Sequence, residues 1–161
     1  MLKKLTFALI LLISIASCNS KKKAFDYSEN FVKKENSLLS DITATEDKVA
    51  RYITLEQFDS IAIAGEKMEQ LVESKIQEVK KEPAPDVKEA ENFKEACIKY
   101  FAFIKSMYTS YKEFGRATDE TEREKAKAKV IELANGKQAA MNSMQTAQKK
   151  FADANGFRLE K

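Results

Sequence analysis

The sequence predicts an all-α chain folded as an antiparallel up-down-up-down four-helix bundle. Three observations lead there. Apolar residues recur at three- and four-residue steps through most of the chain, the signature of helices with one buried face. Only 4 glycines and 2 prolines interrupt 161 residues, and these breakers nearly draw the map of the connections. Beyond an apolar leader, 144 residues remain from position 18 onward, enough for one domain with a real core and hardly for two.

The first helix is expected over 26–52, with Tyr27, Phe31, Leu38, Ile42, Val49 and Tyr52 on one stripe. Thr54 with Gln57 three residues on reads as a capping box, Ile53 before it as a hydrophobic staple, and a second helix would begin at Leu55. Without that break, residues 26–81 would form a rod about 84 Å long that one small domain cannot cover. The second helix carries Phe58, Ile61, Gly65, Met68, Val72, Ile76 and Val79 on one face and stops before Pro83 and Pro85, which deny backbone donors.

Asp86, with Glu89 three residues later, is the expected cap of the third helix, and Gly115 its C-terminal stop. Asp119 and Glu122 repeat the capping pattern for a fourth helix that runs to Asn155 and Gly156. The third helix concentrates large rings in an arc of roughly 140°: Phe93, Tyr100, Phe103, Tyr108, Tyr111 and Phe114, with Ile104 and Met107 among them. The fourth offers Ala126, Val130, Leu133, Ala140, Met144, Ala147 and Phe151 near heptad spacing, with Gly136 on the flank. Rings against small residues predict a close third–fourth hairpin, in which Leu at position 140 costs about 1 to 3 kcal/mol by overpacking. The tail after Gly156, with Phe157 and Leu159, is expected to fold back over the bundle end.

Ahead of the bundle, Lys3 and Lys4 precede an apolar run over 5–16, long enough for export and short of the ~20 residues that span a bilayer. The run closes in Ile15-Ala16-Ser17-Cys18, which resembles the lipobox of bacterial lipoproteins; an ordinary secretory leader that contains a cysteine is the alternative. The resemblance implies a signal peptide over 1–17, removal of it, and a lipidated Cys18 that begins an anchor and tether over 18–25, with the bundle domain over 26–161. The acyl chains of such a cysteine anchor a protein stably. It also implies an address in the cell envelope, at the outer membrane facing the periplasm, since Asn19 is not the Asp that retains lipoproteins inside; the cell surface is the alternative. Lys21, Lys22 and Lys23 then read either as head-group contacts or as a solvated tether. Together with the closing run 145–157, this pattern resembles a group of small bacterial lipoproteins built as helical bundles and without assigned function. That resemblance brings no catalytic residue with it.

Composition narrows the function classes. Without Lys3 and Lys4, 26 basic residues face 25 acidic ones, and Lys125, Lys127 and Lys129 interleave with Glu120, Glu122, Glu124 and Glu132, so a nucleic-acid partner is not expected. With no histidine, the haem and di-iron sites that bundles commonly host lack their ligands, and neither cofactor nor metal is expected. Glu35, at core spacing between Phe31 and Leu38, is either a buried carboxylate with a partner or an edge residue that reaches water. Cys97, on the apolar side of the third helix, reads as a small core residue. Tyr100, Tyr108 and Tyr111 either line a ligand groove or are simply core.

No phosphate loop, nucleophile elbow or catalytic carboxylate pair appears, so an enzyme is not expected. Two readings remain: a non-catalytic membrane-anchored module that binds a protein or supports an envelope assembly, and a protein that binds a small apolar ligand in an aromatic-lined gap. Ile63, Leu71 and Ile98, off the main stripes, are the faint sequence support for the first.

Overall fold

The computed structural model describes the backbone over 2–159 and the side chains over 19–159. Four helices follow in order, α1 (Leu2–Thr54), α2 (Phe58–Lys81), α3 (Ala90–Arg116) and α4 (Glu120–Asn155), and pack as an up-down-up-down bundle. Each helix lies against its predecessor, α4 returns to α1, and α1 faces α3 across the diagonal. The helix of α1 continues unbroken through the expected tether over 18–25, and Ala24 is already fully buried, so the packed domain begins two residues ahead of the expected boundary.

The connections depart from the expected capping in instructive ways. The break after α1 is real, but Thr54 does not cap α2: its hydroxyl donates back to the Ala50 carbonyl at 3.1 Å. Glu56 makes the turn instead, at φ 53, and Gln57 precedes α2 without a side-chain cap. Ile53 stands half exposed rather than closing a staple. The end of α2 falls where the prolines require it, and Lys94 of α3 donates to the carbonyls of Lys80 and Glu82 at 3.1 and 2.7 Å, a cation on the negative end of a helix.

Asp86 is likewise not the cap of α3. The helix starts later, after Glu89 at φ 62, whose carboxylate accepts from Asn92 and pairs with Lys150 of α4. At α4 the expectation holds: Asp119 accepts from the Glu122 amide at 2.8 Å, and the Glu122 carboxylate in turn accepts from the Thr118 amide at 3.1 Å. Gly156, at φ 71, closes α4 with bonds from its own amide to Asp153 and from Phe157 to Ala152, and this turn lays Phe157 into the core beside Phe151.

Gly115 carries the largest correction. It lies inside α3 rather than after it, and a Cβ there would sit 2.4 Å from the Phe58 carbonyl oxygen and 2.5 Å from the Ala62 nitrogen. One helical turn along the same pair of helices, a Cβ on Gly65 would meet the Lys112 nitrogen at 2.7 Å. The tightest hairpin is therefore α2 with α3, drawn together by glycine against backbone where α2 begins and α3 ends. Along its rim Arg116 pairs with Glu66 at 3.1 Å, Lys112 with Glu69, and Lys105 with Glu73 at 2.8 Å, an antiparallel ladder in register with the glycines.

The rest of the core is rings. Phe93 of α3 stacks on Phe151 of α4 at 5.0 Å and meets Phe31 of α1 edge-on at 5.7 Å. Phe101, outside the expected arc, is fully buried against Phe31. Between α3 and α4 the ring-on-small-residue pairing appears at Gly136, where Phe103 lies 3.4 Å from a built Cβ. Ala140, however, borders an open groove of about 320 Å³ with Tyr100, Phe103 and Met144, so Leu has room there and the expected overpacking penalty does not apply.

Glycine replacement separates the two kinds of contact. Gly115→Ala is expected to destabilise by about 3 kcal/mol, since backbone rather than a side chain must move. Gly136→Ala, at ordinary van der Waals distance, should raise stability by about 0.5 to 1 kcal/mol through helix propensity. Thermal unfolding of both variants checks this; equal shifts would mean that the α2–α3 approach is not close.

Candidate functional site

The residues singled out in the sequence fall around α1 and its two boundaries. Glu35 is half-buried at the edge of the core, and its carboxylate accepts from the Tyr100 hydroxyl at 3.0 Å. Eleven residues on, Glu46 accepts from the Tyr111 hydroxyl, also at 3.0 Å. Eleven residues are close to three helical turns, and α1 and α3 run parallel across the diagonal, so the same pair recurs at the same face. Glu46 was missed in the sequence; the signal was there in the equal spacing of Glu35 and Glu46 on one helix and Tyr100 and Tyr111 on the other.

The three tyrosines do not share one groove. Tyr108 is fully buried, Tyr100 borders the α3–α4 groove beside Ala140, and Tyr111 opens onto the seam between α1 and α4. Burial first, and then the negative charge of Glu35 or Glu46, pushes all three hydroxyls far above the usual tyrosine range. Burial does the same to Tyr27. Cys97 is buried in the core, and burial followed by the charge of Glu35 pushes its thiol up, which makes it a poor nucleophile. The thiol of Cys18 lies outside the described side chains. Among the described residues no group of three or more acidic, histidine or cysteine side chains is placed to hold a metal ion, and no helix is long and apolar enough to cross a membrane.

The seam between α1 and α4 is the loosest side of the bundle. It opens into grooves at either end, and in the one where α1 enters the core Gln148 donates to Ser28 at 3.0 Å across the seam. Where α1 enters the core, that groove spans about 720 Å³ between Phe25, Val32, Ala152 and Leu159. Near the end of α1 a second, of about 440 Å³, runs between Ile53, Phe58, Tyr111, Phe114 and Val130. There the Arg123 guanidinium lies 4.0 Å over the Phe58 ring, with its buried Nε unpartnered.

Along this seam α1 presents an apolar edge. Phe25, Val32, Leu39 and Ile53 stand at seven-residue steps, each one position after a core-facing residue, with Glu46 in the remaining place; Leu39 is 52% exposed. Of the three off-stripe residues expected at the surface, only Ile63 is exposed, while Leu71 and Ile98 pack against the margin of the core. The edge was missed because periodicity was assigned to one stripe only, although the second is legible at the same spacing.

The architecture so defined is a four-helix bundle with one incompletely closed seam. No family model, no curated protein and no solved structure matches the chain.

Buried tyrosines make the alkaline limb of stability predictable. A hydroxyl whose folded pKa is raised contributes stability that is complete below the unfolded value of about 10 and is lost as pH rises through the folded value. Absorbance at 295 nm should therefore show Tyr27, Tyr100, Tyr108 and Tyr111 ionising only together with loss of helical circular dichroism. Tyrosinate from several residues in a chain that is still helical would contradict the buried placement.

Proposed function

We propose that the chain is a non-catalytic envelope lipoprotein, anchored through Cys18 at the outer membrane, whose bundle docks a partner protein along the α1–α4 seam. The single observation that carries the docking part is the apolar edge of Phe25, Val32, Leu39 and Ile53, which lies beside two grooves instead of under a neighbouring helix. Seven-residue spacing on an exposed helix is the geometry that an amphipathic partner helix reads, anchoring at successive turns. The anchoring part rests on the leader and on Ile15-Ala16-Ser17-Cys18.

The tyrosines argue for the same ranking. Tyr100 and Tyr111 spend their hydroxyls on Glu35 and Glu46, and Tyr108 is enclosed, which leaves no shared aromatic gap of the kind a ligand site would need. One observation favours the second reading, a small apolar ligand: the groove of about 440 Å³ lined by Ile53, Phe58, Tyr111, Phe114 and Val130. Native mass spectrometry of protein taken from membranes separates the two, since a ligand would accompany the wild type and be lost in Val130→Trp, which fills that groove.

A photoreactive side chain tests the docking reading in cells. Placed at Leu39 it should give a discrete cross-linked species, and placed at Lys67, exposed on α2, it should not. Identical patterns at both positions, or none at position 39, would remove the seam as the docking face. Mass spectrometry of the native N-terminus tests the anchor separately: an acylated Cys18 as first residue is expected, and an unmodified Cys18 behind residues 1–17 would refute it.

A further inference from the structure

We propose that the end of the bundle at which α1 enters the core is a foot that seats on an anionic phospholipid surface, an inference that rests on the lipid-anchor reading and gives it an orientation. Three elements meet at that end. Just ahead of the core, α1 brings Lys21, Lys22 and Lys23, all exposed, on a helix that is continuous with the core from Ala24 onward. The turn that closes α4 brings Arg158 and Leu159 around, the latter 38% exposed. Phe25, 40% exposed, sits between them, held edge-on to the buried Phe157 at 5.8 Å. The α2–α3 connection lies at the same end, where the Lys88 carbonyl accepts from Asn155 and its exposed side chain adds a fifth cation.

Charge and geometry together select the occupant. Residues 19–24 are helical, so a lipid on Cys18 would hold the bundle end within about 9 Å of the head groups, inside one Debye length. Successive lysines step 100° around the helix, and three of them ring the stem whichever way it leans. Among the described residues the acids near this end are Asp26, Glu29, Glu82, Asp86, Glu89, Glu91 and Asp153. Asp26 takes Lys22 at 2.6 Å, Glu82 takes Lys34 at 2.7 Å, Glu89 takes Lys150 at 3.0 Å and Asp153 takes Lys149 at 2.6 Å, which leaves the exposed Lys21, Lys23, Lys88 and Arg158 against Glu29, Asp86 and Glu91. Apolar side chains flanked by cations, beside the lipid attachment point, match a surface of anionic head groups over an acyl layer. A tether of free chain would have scattered these groups; a helix presents them together.

Vesicle sedimentation tests this without the lipid. The chain from Asn19 onward contains every residue of the core cluster, from Ala24 to Phe157, and is used after its helical circular dichroism has been recorded. The probes are vesicles of phosphatidylcholine alone and vesicles in which about a third of the lipid is phosphatidylglycerol. Binding to the anionic vesicles should exceed binding to the neutral ones by tenfold or more. Replacing Lys21, Lys22 and Lys23 together by Gln should weaken it by up to about a hundredfold, and Leu159→Ser by a few-fold, both with unchanged helix content. Equal binding to the two vesicles, none to the anionic ones, or indifference to the lysine replacement would each overturn the foot. The N-terminal mass spectrum decides the anchor independently: acylated Cys18 with no vesicle binding sinks the foot alone, and vesicle binding with an unmodified Cys18 sinks the anchor alone.

Discussion

The contact on which the bundle depends is backbone against backbone. Gly65 and Gly115 let α2 and α3 approach until no side chain fits between them at those points, because a single added carbon would lie 2.7 and 2.4 Å from main-chain atoms of the opposite helix. A glycine inside a helix weakens it by about 1 kcal/mol relative to alanine, and two such positions persist because the close approach buries Ile61, Ala62, Met68 and Val72 of α2 against α3. The rim of Glu66, Glu69 and Glu73 against Arg116, Lys112 and Lys105 fixes the register; the solvent-facing pair Arg116–Glu66 contributes little, and Lys112–Glu69 is the most enclosed of the three. For Glu69, burial works against the charge, and hydrogen bonds from Lys112 and Thr109 outweigh it and hold the carboxyl below its usual range.

Unequal packing follows from that contact. With α2 and α3 drawn together, the bulk carried by α3 has to lie on its other sides, and it does: Phe93, Phe101, Tyr100, Tyr108 and Tyr111 fill the space toward α1 and α4. Rings of this size, met by Tyr27 and Phe31 from α1 and Phe151 from α4, wedge those two helices apart. The result is a bundle tight on one side and open on the opposite one. The functional proposal lives on that asymmetry: the edge of Val32, Leu39 and Ile53 is exposed because its natural neighbour, α4, is held away from it.

Much of this was legible in the residues, and the misses share a cause. The four helices, the proline stop after α2, the Asp119 cap and the Gly156 turn all depend on local chemistry, which a linear reading handles well. Asp86 and Thr54 had the right residues at the right spacing for caps, yet tertiary contacts won: Glu89 is held in the left-handed region beside Asn92 and Lys150, and Glu56 makes the other turn. Gly115 looked like a stop because glycine near a helix end usually is one; its actual partner, Phe58, is far off in sequence. Glu35 was found by its place on the stripe, whereas Glu46 emerged only once α1 and α3 were known to face each other. The open seam had no local signal beyond the second seven-residue series on α1.

Native-state hydrogen exchange tests the asymmetry most directly, because it reads the stability of each helix separately. If the glycine contact organises the fold, amides over 61–76 of α2 and 97–112 of α3 will exchange only through global unfolding. Those over 39–53 of α1 and 126–137 of α4, along the open seam, will exchange at least tenfold faster through local opening. Uniform protection in all four helices, or slower exchange in α1 and α4 than in α2 and α3, would contradict the account.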